Sequence, residues 1–270
     1  METTVTPIPK IRLIIIGDEI LSGRRQDKHF SKLVELLAQR GMQLGGAELI
    51  SDDRSTIVET LKRSFATPDI VFCCGGIGAT PDDQTRQSAA QALGLALELH
   101  PEAARLIAER CADTARRGQG SADMSTPENQ QRLQMGVFPQ GAEIVPNPYN
   151  KIPGFFIGNH TFMPGFPVMA WPMMEWTLDN RYRHLHHGVK RVEHSFLVFG
   201  LPESRITPAL EALEERWPGV KAFSLPSMGE TGHAHIDLGV KGEPEAAAQA
   251  LAFLKDEAVR LGGKLTPPEN

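Results

Sequence analysis

The sequence predicts an α/β protein: a three-layer α/β/α unit on a mostly parallel sheet, followed by a small α+β module. Three observations carry this reading. Apolar, β-branched runs recur without alternation, segments with helical apolar spacing separate them, and each run ends at a glycine or an acidic pair. Strands covered on both faces lose polar alternation because neither side meets water, and helices linking such strands cover a parallel sheet.

Residues 11–16 (Ile-Arg-Leu-Ile-Ile-Ile) form the first run, closed by Gly17. Phe30, Leu33, Val34 and Leu37 then repeat at helical spacing until Gly41 stops the helix. Residues 43–50 are a second predicted strand. Ile57, Val58, Leu61 and Phe65 share one face of a second helix, which Pro68 ends. Residues 70–74 make a third buried strand that runs into Gly75-Gly76. Helices are predicted over 83–93, 102–117 and 128–135, with a Gly/Ser-rich loop over 118–126. Short strands follow at 142–145 and 161–163, and a closing helix at 167–178. The His- and Arg-rich stretch 181–191 reads as a linker, giving a first domain over 1–183 and a second over 190–270. In the second, strands are expected at 192–199, 220–225 and 233–240, and helices at 203–216 and 245–261.

Composition narrows the function. The chain has 41% hydrophobic and 23% charged residues, the balance of an ordinary globular protein with ample core. A formal charge of −5 argues against duplex nucleic acid as a partner, which asks for a basic face. Any phosphate must then be bound locally, by loop amides and cations. No apolar run approaches the roughly 18 residues that span a bilayer, so no membrane partner is expected. The opening residues METTVTPIPK lack the layout of a signal peptide. Cys73, Cys74 and Cys111 are an odd set with two adjacent in an apolar run, which suits a reducing cytoplasm better than a disulfide framework.

Three acidic pairs punctuate the strand ends. Asp18-Glu19 follows the first strand, Asp52-Asp53 the second, and Asp82-Asp83 the glycine loop after the third. Ligands of open parallel sheets bind outside the carboxyl ends of strands, so all three pairs are expected on one edge. Carboxylates crowded there repel unless a cation intervenes. Mg2+ suits the place, taking one or two carboxylates together with phosphate oxygens and water. The plainer explanation is that each pair caps a helix N-terminus, where Asp meets free amides and the helix dipole. Their shared edge favours the site.

The loop Gly75-Gly76-Ile77-Gly78-Ala79-Thr80-Pro81-Asp82-Asp83 leaves a buried strand and opens a helix, so its amides can face an anion. No Gly-Lys-Ser/Thr follows, and Pro81 stands where a dinucleotide fingerprint needs its third glycine. The run Thr80 to Thr85, Thr-Pro-Asp-Asp-Gln-Thr, gives the loop its specificity.

With these motifs the chain resembles the MoaB/Mog molybdopterin-binding family, and within it the N-terminal domain of CinA (competence/damage-inducible protein A) proteins. Gly17 to Gly23 resembles the opening GDE-[IL]-L-x-G, and Asp52-Asp53 falls on an Asp-Asp pattern. Gly75 to Thr85 resembles GG-x-GPTxDD-x-T, with Ala79 for proline. Asn147-Pro148, Pro153-Gly154-Phe155 and Pro164-Gly165-Phe166-Pro167 resemble later turns. The motifs run in order over residues 11–170, and residues 192–261 resemble the small extension of CinA-like proteins. Asn150 and Ile152 bring bulk where many relatives have glycine and alanine, and Val168-Met169-Ala170 lacks a glutamate common there.

The resemblance implies nucleotide or pterin phosphate chemistry with a divalent metal, Mg2+, Mn2+ or Co2+. It assigns catalytic and metal-handling positions to Asp52 and Asp83. Gly75, Gly76, Gly78, Thr80, Asp82 and Thr85 would line the phosphate, Asp18 and Glu19 the rim, and Gly165 and Pro167 the far wall. The leading expectation is a pyrophosphatase of the ADP-ribose or FAD class. Alternatives are adenylyl transfer to a pterin in molybdenum cofactor biosynthesis, and a non-catalytic nucleotide- or pterin-binding module. Relatives form dimers or trimers, so a homo-oligomer is expected by analogy. The 270 residues leave no room for a deamidase domain, so nicotinamide mononucleotide deamidation is not expected.

Other residues have simpler explanations. His184, His186 and His187 read as a solvated linker, His233 and His235 as one face of a half-buried strand, and Cys73-Cys74 as buried small hydrophobes. Trp171, Met173, Met174 and Trp176 read as core or subunit-contact side chains.

Overall fold

The computed structural model describes residues 9–188, 192–227 and 234–266. The sequence readings on the first eight residues, on Lys190 and Arg191 in the linker and on His233 fall outside them. The chain divides into two compact units between His186 and His187.

In the first unit the order is β1 (Ile11–Ile16), α1 (Asp18–Leu21), α2 (His29–Gln39), β2 (Leu44–Ile50), α3 (Arg54–Phe65), β3 (Ile70–Cys74) and α4 (Thr85–Leu93). Then come β4 (Leu97–Leu99), α5 (Pro101–Arg116), α6 (Pro127–Leu133), β5 (Val137–Pro139), β6 (Glu143–Val145), β7 (Gly154–Ile157), β8 (His160–Met163) and α7 (Pro167–Asn180). Six strands form one sheet in the order β2-β1-β3-β8-β7-β6. The pairs β1–β2, β1–β3 and β3–β8 are parallel, and β7 runs against both its neighbours.

The two-sided burial of β1 explains the three layers. Successive strand side chains point to opposite faces. Leu13 and Ile15 pack with Leu33, Leu36 and Leu37 of α2 and Met173 and Met174 of α7. Ile14 and Ile16 pack on the other face with Ile57 and Leu61 of α3 and with Phe138, Phe155 and Phe162. Both sets are apolar, so helices must cover both faces. Cys73 and Cys74 are buried in β3, and burial pushes both thiols up, away from the reactive thiolate.

The sequence missed β4, β5 and β7. β4 and β5 are three-residue strands that form a separate antiparallel ribbon. β7 is four residues long and returns into β8 through Gly158-Asn159, too short to show a period of its own. Its Phe155 lies opposite Phe162 of β8, with the rings stacked at 4.4 Å between centroids. The start of α4 also moves, from residue 83 to Thr85, because the Asp83 carboxylate is bound inside the preceding loop. Part of the predicted linker belongs to the first unit: Tyr182 is buried, and Arg181 makes two hydrogen bonds to Glu143, at 2.7 and 2.9 Å.

The second unit contains β9 (Val192–Phe199), α8 (Glu203–Arg216), β10 (Lys221–Ser227), β11 (His235–Gly242) and α9 (Pro244–Arg260). Its antiparallel sheet has the order β10-β11-β9. Ile236, Leu238 and Val240 alternate onto one face and pack with Ile206 and Leu213 of α8 and Ala247 and Leu254 of α9. No helix among the described residues is long and apolar enough to cross a membrane.

Candidate functional site

A crevice opens in a parallel sheet where the strand order reverses, outside the carboxyl ends. The reversal here falls between β1 and β3, because β1 connects to β2 on one side and β2 connects back to β3 on the other. The turns after β1, β2, β3 and β8 leave this same edge. The three acidic pairs, the glycine loop and the Pro-Gly-Phe-Pro turn therefore meet.

The acidic pairs divide residue by residue. Asp53 is a helix cap, with Oδ2 accepting from the Thr56 amide at 2.9 Å. Asp18 and Asp52 clasp the first two turns together: the Asp18 amide donates to Asp52 Oδ2 at 3.2 Å, and the Asp52 amide to Asp18 Oδ1 at 3.4 Å. Glu19, Asp52, Asp82 and Asp83 line one hollow of about 120 Å³ with Gly75, Gly76 and Gly165. Burial pushes the Asp52 carboxyl above its ordinary value, and repulsion from Asp18, Glu19 and Asp82 adds to it, against the Asp18 amide bond. Capping thus accounts for Asp53, and the other acids near the hollow need a different explanation.

The glycine loop is held from behind. Thr85 Oγ1 donates to the Gly75 carbonyl at 3.0 Å and the Thr85 amide to the Gly76 carbonyl at 2.9 Å. Arg86 donates to the Gly78 carbonyl at 2.5 Å and also to Gln134, and Gln131 Nε2 donates to the Ala79 carbonyl at 2.8 Å. In a planar trans peptide the N–H points opposite to the C=O. Drawing these carbonyls back turns the following amides forward. Among the described residues the amides of Gly76, Ile77, Gly78 and Ala79 have no hydrogen-bond partner. These residues and Thr80 line a second hollow of about 370 Å³, continuous with the first through Gly76, Asp83, Gly165 and Phe166. Successive free amides around a concavity form an anion site.

Asp83 completes the loop, its Oδ2 accepting from the Thr80 amide at 2.9 Å and the Thr80 hydroxyl at 2.6 Å. Among the described residues, Oδ1 of Asp83 and Oδ1 of Asp52 have no protein donor. Among the described residues no three His, Cys, Asp or Glu side chains are grouped to hold a metal by themselves. The donor set matches a cation that arrives with phosphate, as Mg2+ does, needing only one or two carboxylates.

Two expected ligand contacts need correction. Thr85 is fully buried and faces none of the hollows; its bonds to Gly75 and Gly76 make it a fastener of the loop. Asp18 is committed to the clasp and lines none of them either. Asn150 and Ile152 do line the second hollow, and it stays open, because Asn147 gathers their loop with bonds to Asn150 Oδ1 at 2.8 Å and the Ile152 carbonyl at 2.9 Å. A third hollow of about 410 Å³ contains Glu19, Arg25, Lys28, His29 and Pro167, and joins the first through Glu19, Arg25, Gly165 and Phe166.

Arg86 was missed in the sequence. It is 4% exposed and makes no ion pair within 4 Å among the described residues. Burial lowers its pKa to about 10, with the Asp83 charge opposing. The one signal was its place on the stripe Arg86, Ala89, Ala90, where an apolar residue is normal. Arg86→Met is expected to lower the unfolding free energy by about 2 kcal/mol, because two charged donors to the Gly78 and Gln134 carbonyls vanish while the cost of an unpaired buried charge is relieved. Urea midpoints check this; a change under about 0.5 kcal/mol contradicts it.

Residues 12–184 match the family described as a probable molybdopterin binding domain. The chain belongs to that family. A CinA-like protein of Anaeromyxobacter dehalogenans is 28% identical over 262 residues, covering 94% of this chain and 60% of the relative. The chain thus spans about 60% of the length of such CinA-like relatives. A protein of Aeropyrum pernix is 29% identical over 262 residues, covering 94% of this chain and 93% of its own. Among solved structures, the protein CinA with unknown function from Thermoplasma acidophilum has a TM-score of 0.53 and 26% identity, over 63% of this chain and 96% of that one. The chain is therefore a member of a molybdopterin-binding fold family that is similar to CinA-like proteins, and the matched span contains every residue of the crevice.

Proposed function

We propose that this chain is a divalent-metal-dependent nucleotide pyrophosphatase acting on a substrate of the ADP-ribose or FAD class. The observation that carries the reading is the meeting of two opposed features: the free amides of residues 76–79 and the carboxylates of Asp52 and Asp83, around adjoining hollows. Cleaving a phosphoanhydride requires non-bridging oxygens to be neutralised and a water to be oriented in line. The loop amides bind those oxygens without any rearrangement of the chain. Asp52, whose carboxyl is raised by burial, is suited to orient the water and take its proton. Asp83 fixes the loop through Oδ2 and turns Oδ1 to the ligand. The free Oδ1 atoms of Asp52 and Asp83 would hold Mg2+, Mn2+ or Co2+, which supplies charge neutralisation on the phosphates when bound.

A second reading, a module that binds a nucleotide or pterin without turning it over, is favoured by the second hollow, whose Ile77, Met135, Ile152 and Met169 can hold a planar ring without taking part in a reaction. Incubation with ADP-ribose, FAD and NAD plus each metal separates the two. AMP release that stops on chelation is expected. Calorimetric binding with no product supports the module, and AMP release unaffected by chelation removes the metal from the reaction.

A further inference from the structure

The third hollow differs in charge from the other two. Asp27 lies on its wall, its two carboxylate oxygens turned to the start of α2, accepting from the His29 amide at 2.8 Å and the Phe30 amide at 2.9 Å. These bonds occupy the first two amides of α2. Arg25 and Lys28 line the hollow, and the side chain of neither makes an ion pair or hydrogen bond among the described residues. Among the described residues, Glu19 has no protein donor to its carboxylate and lies on the side shared with the acidic hollow. His29 is buried, and its Nε2 must donate to the Gly165 carbonyl at 3.0 Å, since that oxygen can only accept. This bond ties the cation-bearing turn to the strip of Gly165 and Phe166 that borders all three hollows.

Along the crevice an apolar end and an acidic middle are therefore followed by an end where Arg25 and Lys28 stand against Glu19 and Asp27. Ile77, Met135, Ile152 and Met169 supply the apolar end, and Phe166, 53% exposed, stands between the ends. Plain anhydrides carry no negative charge beyond the pyrophosphate, so they bring Lys28 no counter-charge of its own. We infer that the preferred substrate is a pyrophosphate diester with a further phosphate monoester on one half, seated at Arg25 and Lys28, and an apolar or planar group on the other. The inference rests on the pyrophosphatase reading and narrows its substrate class. In the step itself water oxygen bonds to one phosphorus, the bond from that same phosphorus to the bridging oxygen breaks, and the bridging oxygen leaves on the other phosphorus. Each half departs with one terminal phosphate from the anhydride while the proton passes to solvent. The extra monoester stays intact.

The test compares NADP with NAD, and coenzyme A with dephospho-coenzyme A, using the full chain with Mn2+. A charged hydrogen bond gained by the phosphorylated member is expected to raise kcat/KM roughly 10- to 100-fold. Lys28→Ala is expected to bring that ratio to within about threefold of one, and Lys28→Arg to restore it. Equal rates in the unmodified protein, or a ratio unmoved in Lys28→Ala, overturn the inference while product formation keeps the pyrophosphatase reading. If nothing is cleaved, the pyrophosphatase reading fails, and calorimetric binding of the same pairs decides: tighter binding of the phosphorylated member supports the cationic subsite, and equal or absent binding overturns it.

Discussion

Asp83→Asn is expected to lower kcat/KM for anhydride cleavage by roughly 10²–10³-fold while leaving the fold in place. The substitution separates two jobs of one side chain. Through Oδ2, Asp83 accepts from the Thr80 amide and hydroxyl, and the amide oxygen of Asn can still accept from that amide. As part of the wall it offers a negative charge to the hollow shared with Asp52 and Gly75. Asn offers a neutral group there, so the charge is lost and the loop persists. Thermal unfolding measured beside turnover distinguishes the outcomes. An unchanged rate removes Asp83 from the chemistry, and a matching fall in unfolding temperature would make its role structural.

Gly75→Ala is expected to cost roughly 3 kcal/mol or more and to abolish phosphate binding. Gly75 has φ +111°, where an L side chain is strained, and a Cβ there would strike the carbonyl oxygen of Ile16 at the end of β1. That obstacle is backbone in the central strand, so it cannot swing aside. Gly94 is the internal control. It ends α4 at φ +68°, yet a Cβ there meets nothing within 4 Å. Gly94→Ala is therefore expected to cost only about 1 kcal/mol. Urea denaturation of both variants, with calorimetry of AMP binding, checks the contrast; equal costs would mean that the close approach at Gly75 is not what makes glycine necessary.

The sheet was legible because its central strands have no polar face. Leu13 and Ile14 point opposite ways and both are buried, which requires a strand covered on both faces, the usual setting of a parallel sheet. The shared edge followed from that assignment. The division within each acidic pair was not legible: Asp52 and Asp53 are adjacent and identical, and only the direction in which the turn enters α3 makes one a cap and the other a wall of the hollow. Thr85 misled for a related reason, since a hydroxyl beside a phosphate loop serves equally well as ligand or as fastener until burial is known. Arg25 and Lys28 gave no pattern signal because exposed cations are common, and their meaning comes from α7 bringing Phe166 and Pro167 against the same hollow. The short strands β4, β5 and β7 are defined by their partners more than by their own residues.

Anomalous scattering from Mn2+ in crystals grown with a non-hydrolysable ADP-ribose analogue is the most direct measurement of how the two sides of the crevice cooperate. The expected result is a metal at roughly 2.1 Å, the distance of a small hard cation, from oxygens of Asp52 and Asp83, with analogue phosphate oxygens on the amides of residues 76–79. Metal and phosphate settling away from these carboxylates and this loop would contradict it.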